Sequence, residues 1–238
     1  PASTDDGTSL GAAYYCWHNH LKKKDRFIMK HAFWGPSYNE DEILNEIKLK
    51  NLKYKKFDNI NELTIHAAKI ISKNNVVGWY QGKSEWGSRA LGNRSILANP
   101  AHKNMKDIIN SKIKKRESFR PFAPSVLEDD VTKFFECDIR SEFMNHIVKF
   151  KKEWCDVFPS VCHVDNTARL QTVNKDNNPL FHQLISELKK ITGYGIILNT
   201  SFNENEPIVD TPEQAINCFL RTDMDILFLE KFMICKDS

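Results

Sequence analysis

Val76-Val77-Gly78-Trp79-Tyr80 is a compact run of β-branched and aromatic residues, and through Gln81 it enters Gly82-Lys83-Ser84-Glu85-Trp86-Gly87-Ser88-Arg89-Ala90-Leu91-Gly92-Asn93-Arg94-Ser95. A short apolar run bounded by turn residues reads as a buried strand, and a glycine-punctuated polar loop after such a strand is where open sheets place ligands. Working outward, the pattern predicts further strands near residues 122–127, 143–148, 169–173, 195–198 and 226–234. Helices are expected over 104–115, 128–135, 179–192 and 212–221, with Pro212 at a first helical position and Gly193 just past a helix end. Upstream, Ser37 or Asn39 caps a helix running to about Leu49, with Asp41 and Glu42 in its first turn. Leu63, Ile65, Ala68, Ile70 and Ile71 mark a second helix. Strands interleaved with helices give an α/β (α+β) domain with a twisted mixed sheet.

Composition narrows the class. The chain has 238 residues, 41% of them hydrophobic, enough for a substantial core. Lys+Arg 34 against Asp+Glu 31 leaves a net charge of only +3, so the whole-chain footprint of a nucleic-acid binder is absent. No apolar run approaches the roughly 18 residues of a membrane span and no signal-peptide pattern opens the chain, so it reads as a soluble, cytoplasmic protein. Nothing in the pattern specifies an oligomeric state. The 6 cysteines include no pair at the two-residue spacing of zinc or redox sites and read as reduced, mostly buried thiols. Residues 1–13, rich in small side chains, begin without an initiator Met and are too few to fold alone, as expected for a chain cut from a larger protein.

Three polar segments carry the chemistry. Lys83, Arg89 and Arg94 lie in the glycine loop, a composition that suits a phosphate cradle and equally an ordinary solvated loop. The loop is not a P-loop, which needs four residues between its glycines where Gly78 and Gly82 enclose three. Lys112, Lys114, Lys115, Arg116 and Arg120 form a second cluster. Cations at a helix end complement its dipole in water, but Arg116 and Arg120 also adjoin the rigid apolar Pro121-Phe122-Ala123-Pro124, where a guanidinium fork would seek an anion. An RNA-binding patch is a further reading of this cluster, though no row of stacking aromatics accompanies it. Third, Asn199-Thr200-Ser201-Phe202-Asn203 closes an apolar run with small hydrogen-bonding side chains that could finish a turn or recognise a small polar ligand. In Cys162-His163-Val164-Asp165-Asn166-Thr167-Ala168-Arg169, His163 is a phosphate ligand, a proton donor or a structural histidine. Anion binding without a visible nucleophile or complete metal site fits phosphoryl or nucleotidyl transfer, in which positioning and charge neutralisation supply most of the catalysis.

The segments 82–100, 113–126, 163–173 and 198–218, in this order, resemble the C-terminal part of O-carbamoyltransferases of the nodulation-factor and antibiotic-tailoring type. Lys83, Ser88 and Asn166 depart from the residues usual there, respectively Arg, Pro and Gly. The resemblance implies a YrdC-like domain over residues 36–238 that makes carbamoyl-adenylate from carbamoyl phosphate and ATP with Mg²⁺. It also implies that residues 1–35 are the tail of an upstream ASKHA-type transferase domain and a linker. Asp5 occupies the place of an iron ligand of that domain, whose partner histidines this chain lacks. Lys114-x-Arg116 and Ser201-x-Asn203 reproduce two residue pairs of YrdC-like catalytic sites. The resemblance assigns Lys83, Arg89, Arg94, Arg120, His163 and Asn199 to ATP and carbamoyl phosphate. The expected partners are those two substrates and the upstream transferase domain, with no membrane and no nucleic acid. A non-catalytic RNA- or protein-binding module on the same scaffold is the alternative.

Overall fold

A computed structural model describes residues 1–236 of the chain; residues 237 and 238 of the 36–238 unit lie outside the described residues. Among the described residues nine strands form one sheet: β1 (Tyr54–Lys56), β2 (Val77–Tyr80), β3 (Arg94–Ala98), β4 (Ala123–Leu127), β5 (His146–Lys149), β6 (Thr167–Val173), β7 (Ile196–Ser201), β8 (Ile226–Leu229) and β9 (Phe232–Cys235). Their order across the sheet is β1-β9-β8-β2-β3-β7-β4-β6-β5. The β2–β8 and β4–β6 pairs are parallel and the others antiparallel, the mixed sheet expected from the sequence.

Strand parity explains why the central strands read as continuous apolar runs. Val77 and Trp79 of β2, Leu97 of β3 and Ile197 of β7 pack on one face, beneath helices Ile60–Ser72 and Pro179–Thr192. Tyr80, Ile96, Ala98, Ile196 and Leu198 point the other way, into a core that includes helices Glu40–Leu49 and Pro212–Arg221. With both faces covered, alternation disappears from the sequence. The edge strands differ: β1 is wholly exposed and β5 has only Val148 buried.

Helix ends follow their signals. Asn39 accepts from the Glu42 N–H in a capping box, and Thr211 forms another with Gln214 ahead of Pro212. Gly193 ends its helix in the left-handed conformation at φ 83°.

Four sequence expectations are corrected. The run 226–234 is a hairpin, broken at Glu230 (φ 49°) into β8 and β9. The helix expected over 104–115 is an α-turn, Met105–Ile108, continuing as a wider π-turn, Ile109–Ile113. Ser95, read as the end of a polar loop, instead lies within the buried strand β3. The cysteines are not reduced, mostly buried thiols: Cys155, at the end of a short helix, and Cys162 form a disulfide, and of the four free thiols only Cys218 is buried while Cys16 and Cys235 are exposed. A two-residue spacing rule cannot register a pair seven residues apart.

Residues 32–36 are fastened to the glycine loop. Trp86 N–H donates to Ala32 O at 2.7 Å, Gly35 N–H to Ser84 O at 3.0 Å and Ser84 N–H to Pro36 O at 3.0 Å. No helix among the described residues is long and apolar enough to cross a membrane.

Candidate active site

Toward one end of the sheet the side chains change from apolar to polar on the face that carries Ile197. Asn199 follows Ile197 on β7, Ser125 of β4 faces Ile197 in register, and Gln171 of β6 faces Ser125. The glycine loop arches over this end and is stitched shut from within. Glu85 Oε1 accepts from the backbone N–H groups of Leu91 at 2.7 Å, Asn93 at 2.8 Å and Arg94 at 3.2 Å. Asn93 Nδ2 donates to Lys83 O, and Ser95 Oγ accepts from Gly92 N–H. Gly92 sits at φ 109°, and a Cβ there would stand 2.3 Å from Phe181 Cδ1, so the turn requires glycine.

Two cavities open beneath the loop. The smaller, about 90 Å³, is lined by residues that include Arg89, Arg116, Arg169, Asn199 and Ser201, and no acidic side chain lines it. The larger, about 810 Å³, has Trp34, Trp86, Arg94, Asn203 and Asp210 among its walls. Ser88 lines both.

Lys114 ties a residue of the smaller cavity, Ser201, to one of the larger, Asn203. It is buried, and its Nζ donates to Ser201 O at 2.6 Å, Ser201 Oγ at 3.2 Å, Asn203 O at 2.8 Å and Asn203 Oδ1 at 2.6 Å. Ser201 Oγ donates in turn to Asn203 Oδ1 at 2.8 Å. Burial, then the nearby Arg116 charge, bring Lys114 down to about 7, so its proton is exchangeable near neutral pH. Lys115 between them sits at φ 44°, a left-handed kink that separates the environments of its neighbours. Lys114 goes to Ser201 and Asn203, whereas Arg116 is seated by Nε donating to Asn110 Oδ1 at 2.7 Å and by the Phe122 ring at 4.9 Å. Lys115 itself pairs outward with Glu204 at 2.6 Å.

The sequence candidates thus separate by position. Arg116, Ser201, Asn203, Asn199 and Arg89 line the two cavities, and Lys114 stands behind them, bonded to Ser201 and Asn203. Arg94 reaches the larger one from a fully buried position, with its guanidinium 3.5 Å from the Tyr80 ring centre. Its Nη1 donates to Gln81 O and Asn93 O, and its Nη2 to Gly82 O and Pro36 O, so it organises the loop backbone. Lys83 and Arg120 are exposed and line neither cavity, although Arg120 is close enough to lower Arg116. His163 closes the turn before β6, its Nδ1 3.0 Å from Thr167 Oγ1, and burial lowers it. Asp5 is exposed in a short turn, and among the described residues no group of three His, Cys, Asp or Glu converges as metal ligands would, so an iron ion does not fit there.

Arg169 was not singled out from the sequence, yet it is a principal cation of the small cavity. Burial, with the like charges of Arg89 and Arg116, lowers it to about 10, and its buried Nε has no hydrogen-bond partner. The available signal was strand parity, because Ala168 and Leu170 are core residues and Arg169 must face the opposite way. Glu85, Asn110 and Gln171 were missed as well, since their roles lie in contacts to backbone and to other candidates.

A mixed α/β domain with an acid-free arginine pocket and a buried lysine nearby has the charge and shape to receive an anion. The chain belongs to the carbamoyltransferase C-terminus family, whose model matches residues 68–236. It is 42% identical over 240 residues to nodulation protein NolNO of Sinorhizobium fredii, covering 99% of this chain and 35% of that protein. To nodulation protein NolO of Bradyrhizobium diazoefficiens it is 42% identical over 244 residues, covering 99% of this chain and 44% of the relative. The chain therefore spans less than half the length of these relatives. Among solved structures it is similar to E. coli YciO, with 14% identity and a TM-score of 0.48 over 75% of this chain and 89% of that one.

Proposed function

We propose that this domain forms carbamoyl-adenylate from carbamoyl phosphate and ATP, as the C-terminal part of an enzyme that carbamoylates a hydroxyl group. The carrying observation is the Lys114–Ser201–Asn203 cluster, whose Ser201 lines an arginine pocket and whose Asn203 lines a larger cavity that includes Trp34 and Trp86. In this reading carbamoyl phosphate occupies the small cavity, where Arg89, Arg116 and Arg169 receive its phosphate. ATP would occupy the larger cavity, with Trp34 and Trp86 in its wall to pack against the base and the unpartnered Glu85 Oε2 and Asp210 Oδ1 to bond ribose or adenine.

Hydrolysis of carbamoyl phosphate releases phosphate and leaves carbamate, held with its oxygen toward Ser201. That oxygen attacks the α-phosphorus of ATP and pyrophosphate departs. Charge builds on the phosphorus oxygens as the new bond forms, and Lys114 and Arg116 are already in place to offset it. Mg²⁺ would enter with the nucleotide, held by phosphates and water, and would offset phosphate charge. The test is pyrophosphate release by the chain supplied with carbamoyl phosphate, ATP and Mg²⁺. Release that depends on carbamoyl phosphate is expected; none above the control lacking it overturns the proposal.

A further inference from the structure

Asn199 is 1% exposed, and its amide is held in one orientation. Nδ2 donates to Ala90 O at 3.2 Å, Ser125 Oγ at 3.0 Å and Gln171 Oε1 at 2.9 Å. Ser125 Oγ itself donates to Gln171 Oε1 at 2.5 Å, and Gln171 Nε2 donates to Leu91 O at 2.8 Å. Turning the amide over would set Asn199 Oδ1 against the Ala90 carbonyl and Gln171 Oε1, neither of which can donate. The consequence is a fixed carbonyl oxygen, Asn199 Oδ1, that is buried without a hydrogen-bond partner.

Such an oxygen is costly to leave unpaired, and this one belongs to a residue lining the small arginine cavity. Every charged side chain on that wall is a cation, which suits the oxygens of an anionic ligand. A ligand N–H has the opposite need, an acceptor, and Asn199 Oδ1 is the unpartnered acceptor on a residue of this wall. Resting on the reading of this cavity as the carbamoyl phosphate site, we infer that Asn199 Oδ1, held in place by Ser125 and Gln171, selects a carbamoyl –NH₂ over an acyl group of the same size. Acetyl phosphate replaces that –NH₂ with a methyl group and leaves the oxygen unpaired. A carboxyl oxygen there would face it as a second acceptor. Sites built to bond an N–H discriminate strongly against analogues that lack it.

Calorimetric titration of the chain with carbamoyl phosphate, acetyl phosphate and inorganic phosphate tests the inference. Carbamoyl phosphate should bind at least about 30-fold more tightly than acetyl phosphate, and acetyl phosphate about as well as phosphate alone. In Gln171→Met the Asn199 amide loses its nearest acceptor, and Ser125 Oγ, relieved of its own acceptor, becomes free to donate to Asn199 Oδ1; the preference should fall to within about threefold while phosphate affinity is retained. Arg169→Ala should weaken all three ligands together and preserve the ratio. Equal affinity of the unmodified chain for carbamoyl and acetyl phosphate overturns the selection by Asn199 while leaving an anion site standing. An undiminished ratio in a folded Gln171→Met variant removes Gln171 from the orienting role. Failure of all three ligands to bind refutes the carbamoyl phosphate site and this inference with it.

Discussion

Proton uptake on ligand binding is the sharpest consequence of the buried lysine. In the free domain Lys114 titrates at about 7, because burial and Arg116 outweigh the four oxygens around its Nζ. Ser201 Oγ is 3.2 Å from that nitrogen and lines the arginine cavity, which places a bound phosphate charge about 5 Å away. At an effective dielectric constant of about 20 this attraction is roughly 3.3 kcal/mol, equivalent to about 2.4 powers of ten in the Lys114 proton equilibrium. The bound lysine would then stay largely protonated to about pH 9, so affinity for carbamoyl phosphate should fall some 15- to 20-fold between about pH 7.5 and 9. Near pH 8 close to one proton should be taken up per ligand, read as the slope of the calorimetric enthalpy against the ionisation enthalpy of the buffer. Lys114→Met should abolish both the uptake and the slope with pH, and Lys114→Arg should abolish the uptake while keeping the charge. A pH-independent affinity with no uptake in the unmodified chain would refute the argument.

The remaining expectations concern the shell around this lysine. Arg116→Ala should lower pyrophosphate release at least about tenfold, or roughly 1.4 kcal/mol of transition-state stabilisation, whereas Lys115→Ala should stay within about twofold. Equal losses in steady-state assays would reduce the pair to a diffuse basic patch. Gly92→Ala, whose Cβ would meet Phe181 at 2.3 Å on a φ of 109°, should cost about 3 kcal/mol or more in urea denaturation. Arg94→Met should strand the Gln81, Asn93 and Gly82 carbonyls and loosen the loop. The expected signs are a lowered melting temperature and faster amide exchange across residues 82–93, with unchanged exchange there as the contrary result.

Much of this architecture is legible in the residues themselves. Helices Pro179–Thr192 and Pro212–Arg221 match their sequence boundaries because cap, proline and closing residue all agree. The Lys114/Arg116 and Ser201/Asn203 spacings are visible in the chain, but their meeting depends on β7 register and on the left-handed Lys115, which no local pattern encodes. Arg94 and Arg169 look alike in sequence, and each buries an Nε without a partner, but they differ in surroundings: the Nη atoms of Arg94 are engaged by backbone carbonyls, whereas Arg169 lines the arginine cavity. The hairpin within 226–234 was concealed because its turn, Glu230-Lys231, interrupts two apolar strands by only two residues. Gln171 illustrates the general gap, since its importance comes from whom it holds and not from any motif around it.

The two margins of the nine-stranded sheet bear on how the protein behaves in a crowded solution. An open edge is a template on which another chain can add a strand, the first step of fibrillar association. At β1 the margin is three residues long, and its Lys55 and Lys56 are engaged by Glu62 and Glu40. An incoming strand would have to displace those ion pairs and would find little backbone to bond. At β5 only four residues run before the Phe135–Phe150 bridge interrupts the margin, with Lys149 exposed at its end. A nine-stranded sheet therefore ends on both sides in short borders, each carrying exposed lysine, that leave little backbone for templated growth.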